Sequence, residues 1–287
     1  MNLRNTLRLP APAKLNLFLH VTGRRDDGYH TLESLLVPID HGDHITLSER
    51  SDSAVVRERG AVEVAAGDDL AVRAARLIQR NCGIRRGVGI DIDKRIPVGG
   101  GLGGGSSDAA TVLLGLNRMW QLGLSRRALI EMGLELGADV PFFIFGEPAF
   151  ARGIGETLEA VSLPPTWFLV IAPPVRVATP AIFAAPELTR NGASAKMAVF
   201  SEGYGRNDLQ AVAVSRFPEI AACLDVLSRE TAGAASIGMS GSGSCVFAAF
   251  SAEAAALQAL SSIVRAGRAG FVARALDHHP LRRFAAP

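Results

Sequence analysis

The sequence predicts an α+β protein of two domains, because strands come in runs with helices inserted between them and few segments alternate strictly as strand, helix, strand. Three observations carry that reading. Period-two alternation marks the first strand, where Leu15, Leu17, Leu19 and Val21 alternate with Asn16, Phe18, His20 and Thr22. Helical spacing marks residues 70–80, with Leu70, Ala74, Leu77 and Ile78 on one side and Arg73, Arg76 and Arg80 elsewhere. The length of 287 residues, 48% hydrophobic and 20% charged, allows one large core or two ordinary ones. A soft break near residues 155–165 divides it into expected domains of residues 1–160 and 161–287.

The first strand opens near Lys14 and reads as half-buried. Gly23 and the run Arg24-Arg25-Asp26-Asp27-Gly28 make a loop. Further strands are expected around residues 43–49 and 54–64, with Gly42-Asp43 reading as a turn. Residues 89–93 alternate again and lead into Pro97-Val98-Gly99-Gly100-Gly101-Leu102-Gly103-Gly104-Gly105-Ser106-Ser107-Asp108. An apolar helix then covers 109–120, with Ser106, Ser107 and Asp108 as N-cap candidates. Another helix is expected over 125–136, and the apolar run Phe142-Phe143-Ile144-Phe145 reads as a strand. Pro164-Pro165 and Pro173-Pro174 bracket a strand at 167–172. The second half adds a polar loop at 190–196, a helix at 217–228, a glycine-serine loop at 240–244 and a final helix at 252–265.

Composition excludes several classes of function. A formal charge of +2 supplies no basic field for nucleic acid. No apolar run has the length of a membrane span, and none near the start is flanked as a signal peptide. Cys82, Cys223 and Cys245 are odd in number and far apart, which argues against a disulfide framework or a zinc site and for a reducing cytoplasm. His41 and His44 are spaced as H-x-x-H, but that spacing sends them to opposite faces of a strand, so no metal site is read there. His278 and His279 near the chain end read as solvated.

The densest signal is the cluster of six glycines in the seven residues 99–105. Glycine costs backbone entropy on folding, so such density implies a main chain that touches a ligand. Gly99, Gly101 and Gly104 match G-x-G-x-x-G, the dinucleotide fingerprint, yet the strand before them carries Asp91 and Asp93, and no acid follows at 119–124 to take the ribose. Gly105 stands where a P-loop would need its lysine before Ser106. The G-x-S-x-G elbow of a hydrolase is absent around the serines of both loops. A glycine loop running into a helix start remains, and it gathers N–H groups and the positive dipole end into an anion site.

PVGGGLGGGSSDAAT, together with PAKLNLFLHVTGRRDDGYH (residues 12–30), GADVPFFIFGEPAFARGIGE (137–156) and SGSGSCVFAAF (240–250), resembles the GHMP small-molecule kinases over nearly the whole chain. The resemblance implies two domains with the active site in the cleft between them. It also implies transfer of the γ-phosphoryl group of ATP, carried with Mg2+, to a hydroxyl of a cytidine diphosphate-linked small molecule. A monomer or homodimer is expected, without nucleic-acid or membrane partners.

By its surroundings Asp139, in Gly137-Ala138-Asp139-Val140-Pro141, is equally a capping aspartate or a general base; the resemblance makes it the base. Lys14 reads as a solvated strand end on its own, and by resemblance lies beside Asp139. Asn16 shares its strand face. Tyr29 and His30 follow a glycine in a polar loop; by resemblance Tyr29 stacks on cytosine and His30 hydrogen-bonds its edge. Phe183 matches the second stacking residue and Thr179 a polar contact. Pro97, Val98, Gly99, Gly100, Gly101, Leu102, Gly103, Gly104, Gly105, Ser106 and Ser107 form the ATP loop. Lys94 is either a charged strand end or a group that reaches the nucleotide. Asp69 stands where the family usually has asparagine near the adenine, and keeps an acceptor oxygen there. The loop at 240–244 closes on the phosphates or the acceptor, or is a tight packing turn. The metal ligands are not identified, although Ser106 or Ser107 could serve.

Overall fold

The computed structural model describes residues 5–190 and 206–286; the polar loop expected beyond residue 190 lies outside them. Its spine is a pair of long antiparallel strands, β1 (Thr6–Arg24) and β2 (His30–Arg50), bonded along their whole length. The other edge of β2 is shared. Residues 32–36 pair with β5 (Ala149–Gly153), and residues 44–50 pair with β4 (Gly87–Asp93). β3 (Val55–Arg59), parallel to β4, and β6 (Thr157–Ala160), antiparallel to β5, complete a six-stranded sheet. A second, antiparallel sheet runs β10 (Phe271–Arg274), β7 (Trp167–Ile171), β9 (Val246–Phe250), β8 (Ser236–Met239).

Period-two side chains on β2 and β5 face two different cores. Leu36, Ala149 and Ala151 turn to α1 (Leu70–Cys82), α2 (Gly104–Met119), α3 (Arg126–Leu136) and α4 (Val140–Phe145). Leu35, Val37 and Phe150 turn the other way, onto Phe168 and Phe247 of the second sheet. That sheet in turn packs with α5 (Thr179–Phe183), α6 (Gln210–Arg216), α7 (Pro218–Glu230) and α8 (Glu253–Arg265). β1 crosses all three cores: Leu9 and Ala11 lie in the first, Leu15 and Leu17 between the sheets, Leu19 and Val21 in the last.

This layering overturns several expectations. β1 is buried on both faces, with Asn16 and Phe18 each 4% exposed, because layers cover it from both sides. A bulge between Asn16 and Phe18 rotates the strand so that Phe18 joins Leu15 and Leu17 in the inter-sheet core. Lys14 lies mid-strand instead of at a strand start. β3 stops at Arg59, short of residue 64. Gly42-Asp43 is continuous strand, not a turn; a Cβ at Gly42 would come within 2.3 Å of the Ala11 carbonyl, so the glycine serves a close chain approach. Residues 140–145 are helical, since Pro141 opens the turn without needing an N–H and Gly146, at φ 77°, ends it. A six-residue apolar run reads equally well both ways.

α2 begins inside the glycine cluster, with Gly103 at the N-cap and no side-chain cap, so the serines occupy its first turn instead of preceding it. His279 is buried, not solvated; its Nδ1 accepts from the Leu281 amide, and burial, then Arg126, push it down to about 3. The chain end returns to the first layer, where Asn117 donates to the Phe284 carbonyl and Arg126 to that of Arg282.

Candidate active site

One cavity of about 1020 Å³ opens where the two sheets' loops meet, and its walls include Lys14, Tyr29, His30, Lys94, the glycine loop, Asp139, Thr179 and Phe183. Its floor is the glycine loop, which the protein holds by its carbonyls. Gly99 O accepts from the Val177 amide, Gly100 O from the Cys245 amide and Gly101 O from the Ser240 hydroxyl. Leu102 O accepts from the Lys14 amide and Gly103 O from the Ser107 amide. No amide of residues 98–106 donates to a described residue. Gly99, Gly101 and Gly103 have φ of 73°, 75° and 72°. Left-handed residues at every second position form the nest geometry, in which successive N–H groups converge on an anion. The uncapped start of α2 adds its own orphan donors and dipole.

The second glycine-serine loop is a buttress as well as a wall. A Cβ at Gly101 would lie 2.2 Å from Ser240 O and 2.9 Å from Gly243 O, so the two loops touch main chain to main chain. Gly241 and Ser242 face the cavity. Ser106 lines it too, but Ser107 does not. Ser107 is fully buried, its hydroxyl donates to the Pro12 carbonyl at 2.6 Å, and its amide is spent on Gly103, so it anchors the start of α2 to β1.

Lys14 and Asp139 meet across the cavity, Nζ to Oδ2 at 3.8 Å, the lysine buried and the carboxylate 42% exposed. Asp139 occupies the N-cap position of α4 yet makes no cap hydrogen bond, which leaves its oxygens free for a ligand. Burial pulls the Lys14 amine below the ordinary lysine value, and the charge of Asp139 opposes that pull. Lys14 Nζ also donates to Asn16 Oδ1, while Asn16 Nδ2 donates to the Ser34 hydroxyl at 2.8 Å. The Asn16 amide donates to Ser240 Oγ at 3.1 Å. Ser240 therefore couples the strand that carries Lys14 to the glycine loop.

Lys94 reaches the cavity, but its ammonium is held by Asp43 at 2.5 Å and Asp108 at 2.9 Å. Burial works against that charge, and the two carboxylates outweigh it, so Lys94 sits above the ordinary value. Asp108 is pushed up to about 8, chiefly by burial, with Lys94 opposing and Asp43 adding. Its Oδ1 is buried without a partner among the described residues. Asp69 caps α1, accepting from the Ala71 amide, and pairs with Arg57 at 2.8 Å while still lining the cavity. No group of three or more His, Cys, Asp or Glu among the described residues is arranged to hold a metal, and His41 instead stacks on Phe271 at 3.8 Å.

At the far end Tyr29 is 60% exposed on the loop between β1 and β2. His30 opens β2, and its ring stacks on Phe183 of α5 at 5.1 Å and 28°. Thr179 Oγ1 lies 2.7 Å from Ser242 Oγ. Sequence reading missed three contributors. Asp43 was hidden by its glycine neighbour, and Ser34 sits in an apolar strand with nothing to mark it. Arg190 looked like one more charge in a polar loop, although its guanidinium touches both His30 and the chain around Phe183. Pairing between distant segments brings these residues against the cavity's walls, and no local pattern records such pairing.

Comparison with known proteins follows this geometry. The GHMP kinases N terminal domain matches residues 69–147, and GHMP kinases C terminal matches residues 184–269. A 4-diphosphocytidyl-2-C-methyl-D-erythritol kinase of Thiobacillus denitrificans is 55% identical over 96% of this chain and 97% of its own. The protein of that name in Nitrosospira multiformis is 50% identical over 97% and 94%. A crystal structure of 4-(cytidine 5'-diphospho)-2C-methyl-D-erythritol kinase superposes with a TM-score of 0.79 at 35% identity, over 94% of this chain and 99% of the other. Homoserine kinase from Cytophaga hutchinsonii, at TM-score 0.66 and 16% identity, shares the fold.

Proposed function

The chain belongs to the GHMP kinases, and we propose that it phosphorylates the 2-hydroxyl of 4-diphosphocytidyl-2-C-methyl-D-erythritol with ATP, giving the 2-phosphate and ADP, as a step of the non-mevalonate route to isoprenoids. The observation that carries this reading is the glycine loop, with its carbonyls tied outward and its amides free, beside the uncapped Asp139 and Lys14. Phosphoryl transfer asks a protein mainly for positioning and charge. The triphosphate lies on the free amides and the start of α2. Asp139 accepts the proton of the acceptor hydroxyl as its oxygen forms a bond to the γ-phosphorus and the bond to the ADP oxygen breaks. Lys14 places a buried positive charge beside that oxygen. Tyr29 and Phe183 offer aromatic faces to cytosine, and His30 a polar edge.

Oxygen donors at the helix start suit magnesium. Ser106 Oγ makes no hydrogen bond to a described residue, and Asp108 Oδ1 is unpartnered. Mg2+ carried by the triphosphate would be held by these two and would neutralise charge on the transferring group. Residues 1–160 and 161–287 are the two domains on this reading, working as a cytoplasmic enzyme; no helix among the described residues is long and apolar enough to cross a membrane.

The test is ADP release from magnesium-ATP with 4-diphosphocytidyl-2-C-methyl-D-erythritol, methylerythritol phosphate, homoserine and mevalonate as acceptors. Turnover with the cytidylyl acceptor alone is expected. Turnover with homoserine or mevalonate instead would keep the kinase and overturn the acceptor. ATP binding without turnover of any acceptor would leave a nucleotide-binding protein.

A further inference from the structure

Arg190 lines the far end of the cavity and ties two of its walls together. Its Nε donates to His30 Nε2 at 3.1 Å, Nη1 to the Leu188 carbonyl at 3.1 Å, and Nη2 to the carbonyls of Phe183 at 3.0 Å and Ala185 at 2.6 Å. One planar cation therefore fixes both the imidazole and the end of the helix that carries the aromatic ring stacked on it. A guanidinium has five donors and no acceptor. Any nitrogen that it meets must accept, so His30 Nε2 is unprotonated. Burial, then Arg190, then Arg24 at the end of β1, hold His30 below the ordinary histidine value, so the ring is neutral at pH 7 and has a tautomer to choose. With Nε2 accepting, the proton sits on Nδ1, the ring nitrogen that makes no hydrogen bond to a described residue.

We propose that Arg190 is a positioning residue that fixes His30 as the Nδ1–H tautomer and thereby sets the preference for cytosine over uracil in the acceptor. The proposal rests on the cytidylyl-acceptor reading above. Cytosine presents an unprotonated N3 on its pairing edge, an acceptor that an Nδ1–H can meet; the O2 carbonyl is common to both bases and does not separate them. Uracil carries a proton on N3, which would face the imidazole proton donor to donor. The opposite tautomer would present a lone pair, which can accept from the N3–H of uracil or the N4 amine of cytosine, and so would weaken the preference. Arginine thus sets base selectivity through the histidine that it holds.

The test pairs a direct measurement with a selectivity measurement. Nitrogen-15 NMR of the free protein with labelled histidine should show His30 as Nδ1–H in the wild type and as a tautomer mixture in Arg190→Met. Steady-state kinetics should show the cytidylyl-over-uridylyl ratio of kcat/KM falling about tenfold in Arg190→Met, the effect of one hydrogen bond to a desolvated partner, with kcat at saturation little changed. Arg190→Lys, which also only donates, should recover both the tautomer and the ratio. An Nε2–H signal in the wild type overturns the proposal. So does an unchanged ratio with KM raised equally for both acceptors, which is what a purely structural brace for Phe183 would give. The NMR arm needs no acceptor, so failure of the acceptor reading, seen as wild-type turnover of neither compound, is separable from failure of the tautomer assignment.

Discussion

The floor of the cavity presents main-chain amides, whereas its far end presents aromatic and imidazole side chains. The floor is held by four consecutive carbonyls bonded outward, from Gly99 to Leu102, and by a second loop in main-chain contact with it. The far end rests on a 60% exposed tyrosine, a stacked His30–Phe183 pair and one arginine that bonds to both. A triphosphate is the same in every kinase reaction, and a backbone site recognises it with no side chain to vary. An acceptor differs between kinases, and side chains on loops can be exchanged without disturbing the floor.

Substitutions at four positions break or sharpen the comparison, in descending order of effect. Asp139→Asn sits between the two regions and should lower kcat about a thousandfold. The lost charge also leaves the buried Lys14 amine without its counter-ion, so the thermal midpoint should fall somewhat as well. Asp139→Glu, which keeps the charge and displaces it, should lower kcat with less effect on the midpoint in calorimetry. Gly101→Ala attacks the floor. The added Cβ meets Ser240 O at 2.2 Å on a residue with φ 75°, and should cost about 3 kcal/mol in urea unfolding while raising KM for ATP.

Phe183→Ala attacks the far end. Loss of one stacking face should raise KM for the cytidylyl acceptor about tenfold, and KM for ATP should not move. If both constants rose together, the two regions would not be separate. The smallest effect belongs to Gly99→Ala. The same left-handed backbone applies, but the nearest atom to the new Cβ is 3.5 Å away on Arg176, so only the conformational cost of about 1 kcal/mol should appear in unfolding.

The floor was legible in the sequence, because six glycines before a helix admit few physical explanations. Lys14 and Asp139 were legible as a pair through resemblance alone, since nothing local brings together two residues that the structure sets 3.8 Å apart. The strand and helix periods were read well where an element has one exposed face, as in α1. In β1 the period found the strand, but the reading of one solvated face failed, because layers cover both faces and polar positions such as Asn16 are buried too. Ser107 and His279 show the same limit: a serine in a loop motif and a histidine near the chain end look exposed until the packing partners are known.

Where the two substrates lie decides the roles of the floor and of Asp139, and a crystal structure with a non-hydrolysable ATP analogue and 4-diphosphocytidyl-2-C-methyl-D-erythritol measures that directly. It should place the triphosphate on the amides of residues 98–106 and the acceptor 2-hydroxyl within about 3 Å of an Asp139 oxygen, with cytosine between Tyr29 and Phe183. A triphosphate held away from the glycine loop, or an acceptor hydroxyl out of reach of Asp139, would contradict it.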